Sequence, residues 1–256
     1  MTVNVQGIDR PYARLRLYNL AMGAIHLAQA AAILALSTDF ALPVHGTFME
    51  GPPGEGPATI HHLFDLRIGP AVASFLFISA AAHTVLSLPG VFEWYRRNLE
   101  RQQNDARWIE YSVSASIMIV LIAMLTGIGD VAALVALFGV NASMIFFGLV
   151  QEHSERPGEG RLLWFWLGCI AGAVPWIAVG IYVVGPGVAA TPPAFVYGIF
   201  VSLFAFFNIF ALNMWLQYRR LGPWRNYLYG ESVYVLLSLA AKSALAWQVF
   251  FPTLMS

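Results

Sequence analysis

Charged residues are scarce in this chain. Only 11% of its 256 residues are Asp, Glu, Lys or Arg, whereas 58% are hydrophobic; soluble domains contain about 25% charged residues. The 14 basic and 14 acidic residues balance, so the sequence has no excess of positive charge that would attract nucleic acid. The composition therefore predicts an integral protein of the cell membrane, with lipid around it and no nucleic-acid partner.

Cysteine and lysine each occur once. A single cysteine, Cys169, excludes an internal disulfide, and its apolar surroundings favour a small packing residue. Lys242 is accompanied by 13 arginines, and it interrupts the apolar run SLAAKSALAW. Dinucleotide fingerprints, phosphate loops and serine-nucleophile elbows are missing, and we do not expect an enzyme.

Apolar segments of about 20 residues can cross a bilayer as helices, and the sequence contains seven. They predict an all-α bundle of seven transmembrane helices that forms one domain over residues 1–256. The first segment could instead be a signal peptide, because arginines precede it and ALS at 35–37 resembles a cleavage site. Its apolar stretch is longer than the ~7–15 residues of such signals. The predicted spans are residues 13–36, 67–92, 101–128, 131–151, 162–185, 194–217 and 230–251.

Arginine is distributed unequally between the two sides of the membrane that these spans define. Twelve arginines lie on the side of the N-terminus, and Arg67 alone lies on the other. Positively charged residues concentrate in cytoplasmic loops. The sequence therefore predicts a cytoplasmic N-terminus and an external C-terminus.

The connection between the first two spans is the longest loop. In it, ALPVHGTFME alternates partly between apolar and polar residues and GPPG follows, a pattern that predicts a short β-hairpin. His45, His61, His62 and Asp65 also lie there. Their spacing matches no strong metal-binding pattern, and we expect solvated loop residues and no metal.

Lys242 lies about 11 residues, or ~16 Å of helix rise, beyond the start of the seventh span, near the middle of the bilayer. An ionised lysine there costs at least ~2.5–3.5 kcal/mol on insertion scales. Two explanations are open. The lysine is part of a structural ion pair, or it is an amine in an apolar pocket that forms a Schiff base with a carbonyl ligand.

A buried cation needs an anionic partner, and Glu110 in RWIEYSVSASIM is the best candidate. A third span that begins near Arg101 places Glu110 roughly 13 Å deep. Asp130 and Glu152 lie at span ends and are expected at the membrane interface. The alternative is a pair between Glu110 and Arg107 near the cytoplasmic surface.

Other polar side chains lie within the apolar spans, where they need partners. Ser238 precedes Lys242 by four residues and shares its helical face. His26 and His83 are either hydrogen-bonded packing residues or a proton-accepting pair. GCIAG at 168–172 indicates close helix packing or dimerisation. The other polar residues expected to face the interior include Gln29, Ser79, Ser112, Ser114, Ser116, Asn141 and Asn208.

A lysine in the middle of the seventh span and a carboxylate on the third resemble the pattern of microbial rhodopsins. The inverted orientation resembles that of the heliorhodopsins, and the similarity extends through nearly the whole chain. It is carried by DFALPVHGTF with GPPG, RWIEYSVSASIMIVLIA, ALFGVNASMIFFG, GCIAGAVPWI, FVYGIF and SLAAKSALAWQ.

The resemblance implies all-trans retinal bound covalently to Lys242 as a protonated Schiff base, with Glu110 as its counterion. It also implies a photosensory homodimer with a slow photocycle, an unidentified signalling partner and generally no ion pumping. An alternative is a light-gated or passive ion-conducting rhodopsin. The implied Schiff-base cavity contains His26, His83, Ser112, Ser114, Ser116 and Ser238. The implied retinal pocket contains Asn141, Met144, Pro175, Phe207 and Trp247.

Two positions argue against a proton pump. Light-driven pumps of the usual kind carry a second carboxylate 11 residues after the counterion, where this chain has Leu121. They also carry an aspartate four residues before the lysine, where this chain has Ser238. We therefore expect no donor for vectorial return of a proton.

Overall fold

The computed structural model describes residues 5–54, 59–185 and 193–254. Within these residues the chain forms eight α-helices and one two-stranded sheet. The helices are α1 (Val5–Leu36), α2 (Ile68–Leu86), α3 (Pro89–Glu100), α4 (Asp105–Leu125), α5 (Val131–Ser154), α6 (Leu163–Val184), α7 (Ala194–Tyr218) and α8 (Tyr227–Val249). The strands are β1 (Ala41–Phe48) and β2 (Thr59–Arg67).

Seven helices among the described residues are long and apolar enough to span a membrane, and α3 is not one of them. The seven pack in a ring that follows chain order and closes where α8 contacts α1. The side chains at the centre of the ring are fully buried and apolar, and include Ile33, Phe75, Ile119, Ile122 and Leu245. The predicted all-α, seven-span architecture is confirmed.

The ends of two predicted spans were wrong, because the segment between α2 and α4 forms a helix of its own. Pro89 lacks a backbone N–H to continue α2 and instead occupies the first turn of α3. Asn104 then begins α4 by accepting a hydrogen bond from the Arg107 backbone N–H at 3.1 Å. Helix α3 buries only one stripe, formed by Phe92, Tyr95 and Leu99, as expected for an amphipathic surface helix.

The predicted hairpin is confirmed as the antiparallel pair of β1 and β2, with a register shift between Val44 and His45. His45 is half-buried rather than solvated, because its imidazole packs against Gly129, whose carbonyl accepts from the His45 backbone N–H at 3.0 Å. His61 and His62 are exposed, as predicted. The hairpin thus rests on the turn between α4 and α5.

The GxxxG segment on α6 packs inside the bundle. A Cβ placed at Gly172 would lie 2.5 Å from Met144 Sδ on α5, and one at Gly168 would lie 3.3 Å from Phe147 Cβ. Of the two explanations for this motif, close helix packing is the one that the structure shows.

Candidate functional site

The structure brings Lys242 and Glu110 together. Lys242 Nζ donates to Glu110 Oε1 at 2.8 Å and to Oε2 at 3.2 Å, and the side chains are 3% and 9% exposed. Lys242 Nζ also donates to Ser238 Oγ at 2.9 Å, one helical turn before it. Ser79 Oγ donates to Glu110 Oε1 at 2.7 Å, so α2, α4 and α8 together hold the pair. Removing one partner of such a buried pair costs about 3–5 kcal/mol.

Glu110 lies nearer the start of its helix than the sequence indicated, because α4 starts at Asp105 rather than near Arg101. Glu110 lies about 7.5 Å along α4, whereas Lys242 lies about 22 Å along α8. Side chains on a helix point back towards its N-terminus. The long lysine side chain thereby reaches towards the shallower carboxylate.

The imidazole rings of His26 and His83 stack, with centroids 5.7 Å apart and planes inclined by 10°. His83 Nδ1 shares a hydrogen bond with Asn19 Oδ1 at 2.7 Å. Both ring nitrogens of His26 are buried, and neither has a hydrogen-bond partner in the part of the chain that the structure describes. His83 also lines a small cavity together with Glu110. The histidine pair therefore lies beside the carboxylate of the ion pair.

A larger cavity is lined in part by Lys242. It has about 850 Å³ of space free of protein atoms, including the space at its open mouth. Its walls are almost entirely apolar or aromatic. Met144 and Phe207, both predicted for a retinal pocket, line it, as do Ser114 and Ser238. The other lining residues are Trp108, Tyr111, Ala115, Met118, Ile145, Gly148, Trp164, Phe165, Gly168, Cys169, Phe210, Ala211, Met214, Tyr234 and Ala241.

Several residues assigned from the sequence do not line this cavity. Asn141 Nδ2 donates to Ser116 Oγ at 3.0 Å, and Trp247 Nε1 donates to Gln29 Oε1 at 2.9 Å. Their assignment to the pocket stays a prediction, as does that of Pro175, which is buried within α6.

Two further polar residues have partners other than the ion pair. Ser112 Oγ donates to the Ile109 carbonyl of its own helix at 2.8 Å, and its place in the Schiff-base cavity stays a prediction. Asn208 was expected to face the interior and is instead exposed, with Nδ2 donating to the Phe204 carbonyl.

The sequence analysis missed much of the cavity wall. Cys169 belongs to this wall, although it was expected to be only a packing residue. Helical spacing contained a usable signal. Tyr234, Ser238 and Lys242 follow one another at intervals of four residues. Tyr111, Ala115 and Met118 share a face of α4 at intervals of four and three residues.

Arg107 does not pair with Glu110. It pairs with Glu152 on α5 and Glu231 on α8, and the three side chains are 4%, 2% and 1% exposed. Glu152 was expected at the membrane interface; it lies in the last turn of α5, but its side chain is buried, and Trp108 Nε1 and the Asn104 backbone N–H also donate to it. The alternative pairing of Glu110 is thereby excluded.

Comparison with known proteins gives a family match and matches among solved structures. The family model described as Heliorhodopsin matches residues 15–254. The crystal structure of cyanorhodopsin from the cyanobacterium Tolypothrix sp. NIES-4075 is similar with a TM-score of 0.65 and 12% sequence identity, over 95% of each chain. At this identity the similarity shows the fold alone. No curated protein matches the chain.

Proposed function

The chain belongs to the heliorhodopsin family and is a retinal-type photoreceptor with several membrane spans, and we propose that Lys242 carries its chromophore, all-trans retinal, as a protonated Schiff base. Glu110 is the counterion in this proposal. The protein acts as a photosensory homodimer with a cytoplasmic N-terminus, has a slow photocycle and passes its signal to a partner protein.

The observation that carries the proposal is the position of the only lysine. Lys242 lines one large apolar cavity and pairs there with a buried carboxylate. Aromatic and apolar walls with few polar groups suit a long, flat polyene. The amine that reacts with its aldehyde must be neutral, and the apolar walls favour that form. Lys242 Nζ would hold the chromophore through a C=N bond formed with loss of water, and the protonated nitrogen would place a positive charge beside Glu110.

Bound retinal supplies light absorption and isomerisation. Glu110 stabilises the positive charge on the Lys242 nitrogen, and Ser79 fixes the carboxylate by a 2.7 Å hydrogen bond. Displacement of the nitrogen weakens this pair, and a proton can pass to Glu110 or to the nearby histidines. The altered charge distribution then shifts the balance between two conformations of the bundle, which is the signal.

We propose that the chain does not pump protons. Leu121 is 1% exposed and apolar where pumps carry a donor carboxylate, and Ser238 is bonded to Lys242 where they carry an aspartate. His83 and Glu110 line one cavity, so a proton held there returns by the path it took.

Adding all-trans retinal to the purified, retinal-free protein tests the proposal. We expect a visible absorption band that hydroxylamine removes. A spectrum that contains only free retinal would overturn the proposal.

Light-gated or passive ion conduction is the alternative function. Photocurrents in cells that express the protein would favour it. For pumping, the external pH of illuminated cells is recorded with and without a protonophore, and we expect no sustained change. A sustained change that the protonophore abolishes would reveal a proton pump.

A further inference from the structure

Two carboxylates share one buried arginine at the end of the bundle where α4 and α8 begin. Arg107 bridges Glu152 and Glu231. Glu152 also accepts from Trp108 Nε1 at 2.7 Å and from Tyr227 Oη at 3.3 Å. Glu231 also accepts from Asn104 Nδ2 at 2.7 Å. Four elements of the chain thus enclose the group.

The charges of this group do not balance if both carboxylates are ionised. Two anions then face one cation, which leaves one negative charge that is almost completely removed from water. An uncompensated buried charge is so unfavourable that the group takes up a proton instead, and two carboxylates at one site do not readily ionise together.

The surrounding residues supply no second cation. Tyr95, Tyr111, Tyr218, Tyr227 and Tyr234 are the titratable phenols nearby, and burial raises the pKa of Tyr95, so that phenol stays neutral. The Arg107 guanidinium lies 3.9 Å from the centre of the Tyr234 ring. Arg107 Nε is buried and has no hydrogen-bond partner among the described residues, so within this part of the chain the arginine keeps one donor unused.

A small cavity joins this group to the main site. Glu231 and Arg107 line it, and so do Glu110 and His83. Asn19, Tyr95, Asn104 and Tyr111 supply polar atoms along it. Glu110 and the buried arginine therefore border one small cavity that has polar groups in its wall.

We propose that Glu152 and Glu231 together hold one proton beside Arg107, and that this pair is a second proton-exchanging site of the chain, coupled to Glu110 through the small cavity. The proton belongs to the pair rather than to one residue, as expected for strongly interacting groups. The coupling to light rests on the proposed function, whereas the shared proton does not.

Infrared spectroscopy of the retinal-free protein tests the shared proton. At mildly alkaline pH, exposed carboxylates are ionised, and we expect one remaining C=O band of a protonated carboxylic acid that shifts in D2O. Glu152→Gln and Glu231→Gln should each abolish this band, because each leaves one carboxylate balanced by one arginine. Glu93→Gln on the exposed face of α3 should leave it unchanged.

The same result is expected from both variants, so either one suffices if the other does not fold, as judged by circular dichroism. The wild-type spectrum alone can also overturn the proposal. Absence of a protonated carboxyl band in folded wild-type protein would overturn the proposal, and so would a band that persists in a folded single variant.

Light-minus-dark infrared spectra of the retinal-bound protein test the coupling. We expect the carboxyl band of the pair to shift on illumination in wild-type protein and to be missing in Glu231→Gln. A band that is present in the dark but unaffected by light would refute the coupling and leave the shared proton standing. Failure to bind retinal would instead refute the proposed function.

Discussion

Lys242 and Glu110 are stable in the bundle because each compensates the other. On one side of the pair, Ser79 Oγ donates to Glu110 Oε1, and on the other Lys242 Nζ donates to Ser238 Oγ. The Lys242 ammonium also lies 5.1 Å from the centre of the Tyr111 ring, within the range of a cation–π interaction. Few other groups can take over the charge of either partner, so single substitutions should have distinct effects.

Glu110→Gln should leave the positive charge on the Lys242 nitrogen poorly compensated. We expect a red-shifted visible band, or loss of the proton from the Lys242 nitrogen near neutral pH, because the neutral amide stabilises that charge less well. Absorption spectra during a pH titration provide the measurement, with Glu93→Gln as the control. An unchanged spectrum and titration would assign the counterion role to another residue.

Arg107→Gln should destabilise the protein more than any single change of its two carboxylates. It leaves Glu152 and Glu231 buried without a cation, and loss of one side of a buried ionic group costs about 3–5 kcal/mol. Thermal denaturation followed by circular dichroism measures the effect, with the exposed Arg97→Gln as the control. Equal melting temperatures for the two variants would contradict the role given to Arg107.

Among the helices, the contact between α5 and α6 shapes the cavity directly. Gly172 on α6 leaves room for the thioether of Met144 on α5, and Met144 lines the cavity. Gly180 on the same helix meets only Phe200, at 3.8 Å, an ordinary contact distance. These two glycines therefore form a matched pair for testing how helix packing affects the site.

Gly172→Ala should move the Met144 side chain and shift the visible band. Overpacking costs about 1–3 kcal/mol, and the gain in helix propensity of roughly 0.5–1 kcal/mol offsets part of it, so the loss of stability should be small. Gly180→Ala should gain the propensity without altering the spectrum. Identical spectra for Gly172→Ala and wild type would show that Met144 does not contact the chromophore.

The order of the helices was predictable from the sequence, whereas several of their ends were not. The length of an apolar segment identifies a span but not its end. The segment that contains α2 continues through Ser87 and Leu88 towards α3, and α2 ends before Pro89 because proline has no backbone N–H to donate. The same uncertainty about helix ends prevented prediction of the cluster that Arg107 forms with Glu152 and Glu231. Its partner Glu152 lies in the last turn of α5, where the sequence alone indicates a solvated end.

The ion pair was predictable because the rule of charge compensation left a buried lysine with few carboxylates to choose from. The cavity wall depended instead on the rotation of each helix about its axis. Asn141 and Met144 are three residues apart on α5, yet Met144 faces the cavity while Asn141 faces Ser116. Chain order does not specify that difference, because packing against the neighbouring helices determines it.

Considered as a whole, the molecule has an asymmetry that concerns its orientation in the membrane. The arginine-rich ends of the bundle include the start of α4 and the connections from α5 to α6 and from α7 to α8. The positive-inside rule predicts that these ends, and the N-terminus, face the cytoplasm.

In intact cells, a protease-cleavable tag at Met1 should therefore be protected, and the same tag at Ser256 should be cut. Cells made permeable provide the control, since both tags should then be accessible. Cleavage at Met1 with protection at Ser256 would reverse the proposed orientation.

The covalent bond at Lys242 is the central claim, and chemical reduction of the coloured protein tests it most directly. Borohydride should fix retinal on the protein as a stable amine, and mass spectrometry of the digested chain should find the retinyl group on the peptide that contains Lys242. Lys242→Ala, folded by circular dichroism, should be colourless and unmodified, because the chain has no other lysine. A wild-type visible band in that variant, or an unmodified Lys242 in reduced, coloured protein, would contradict the account.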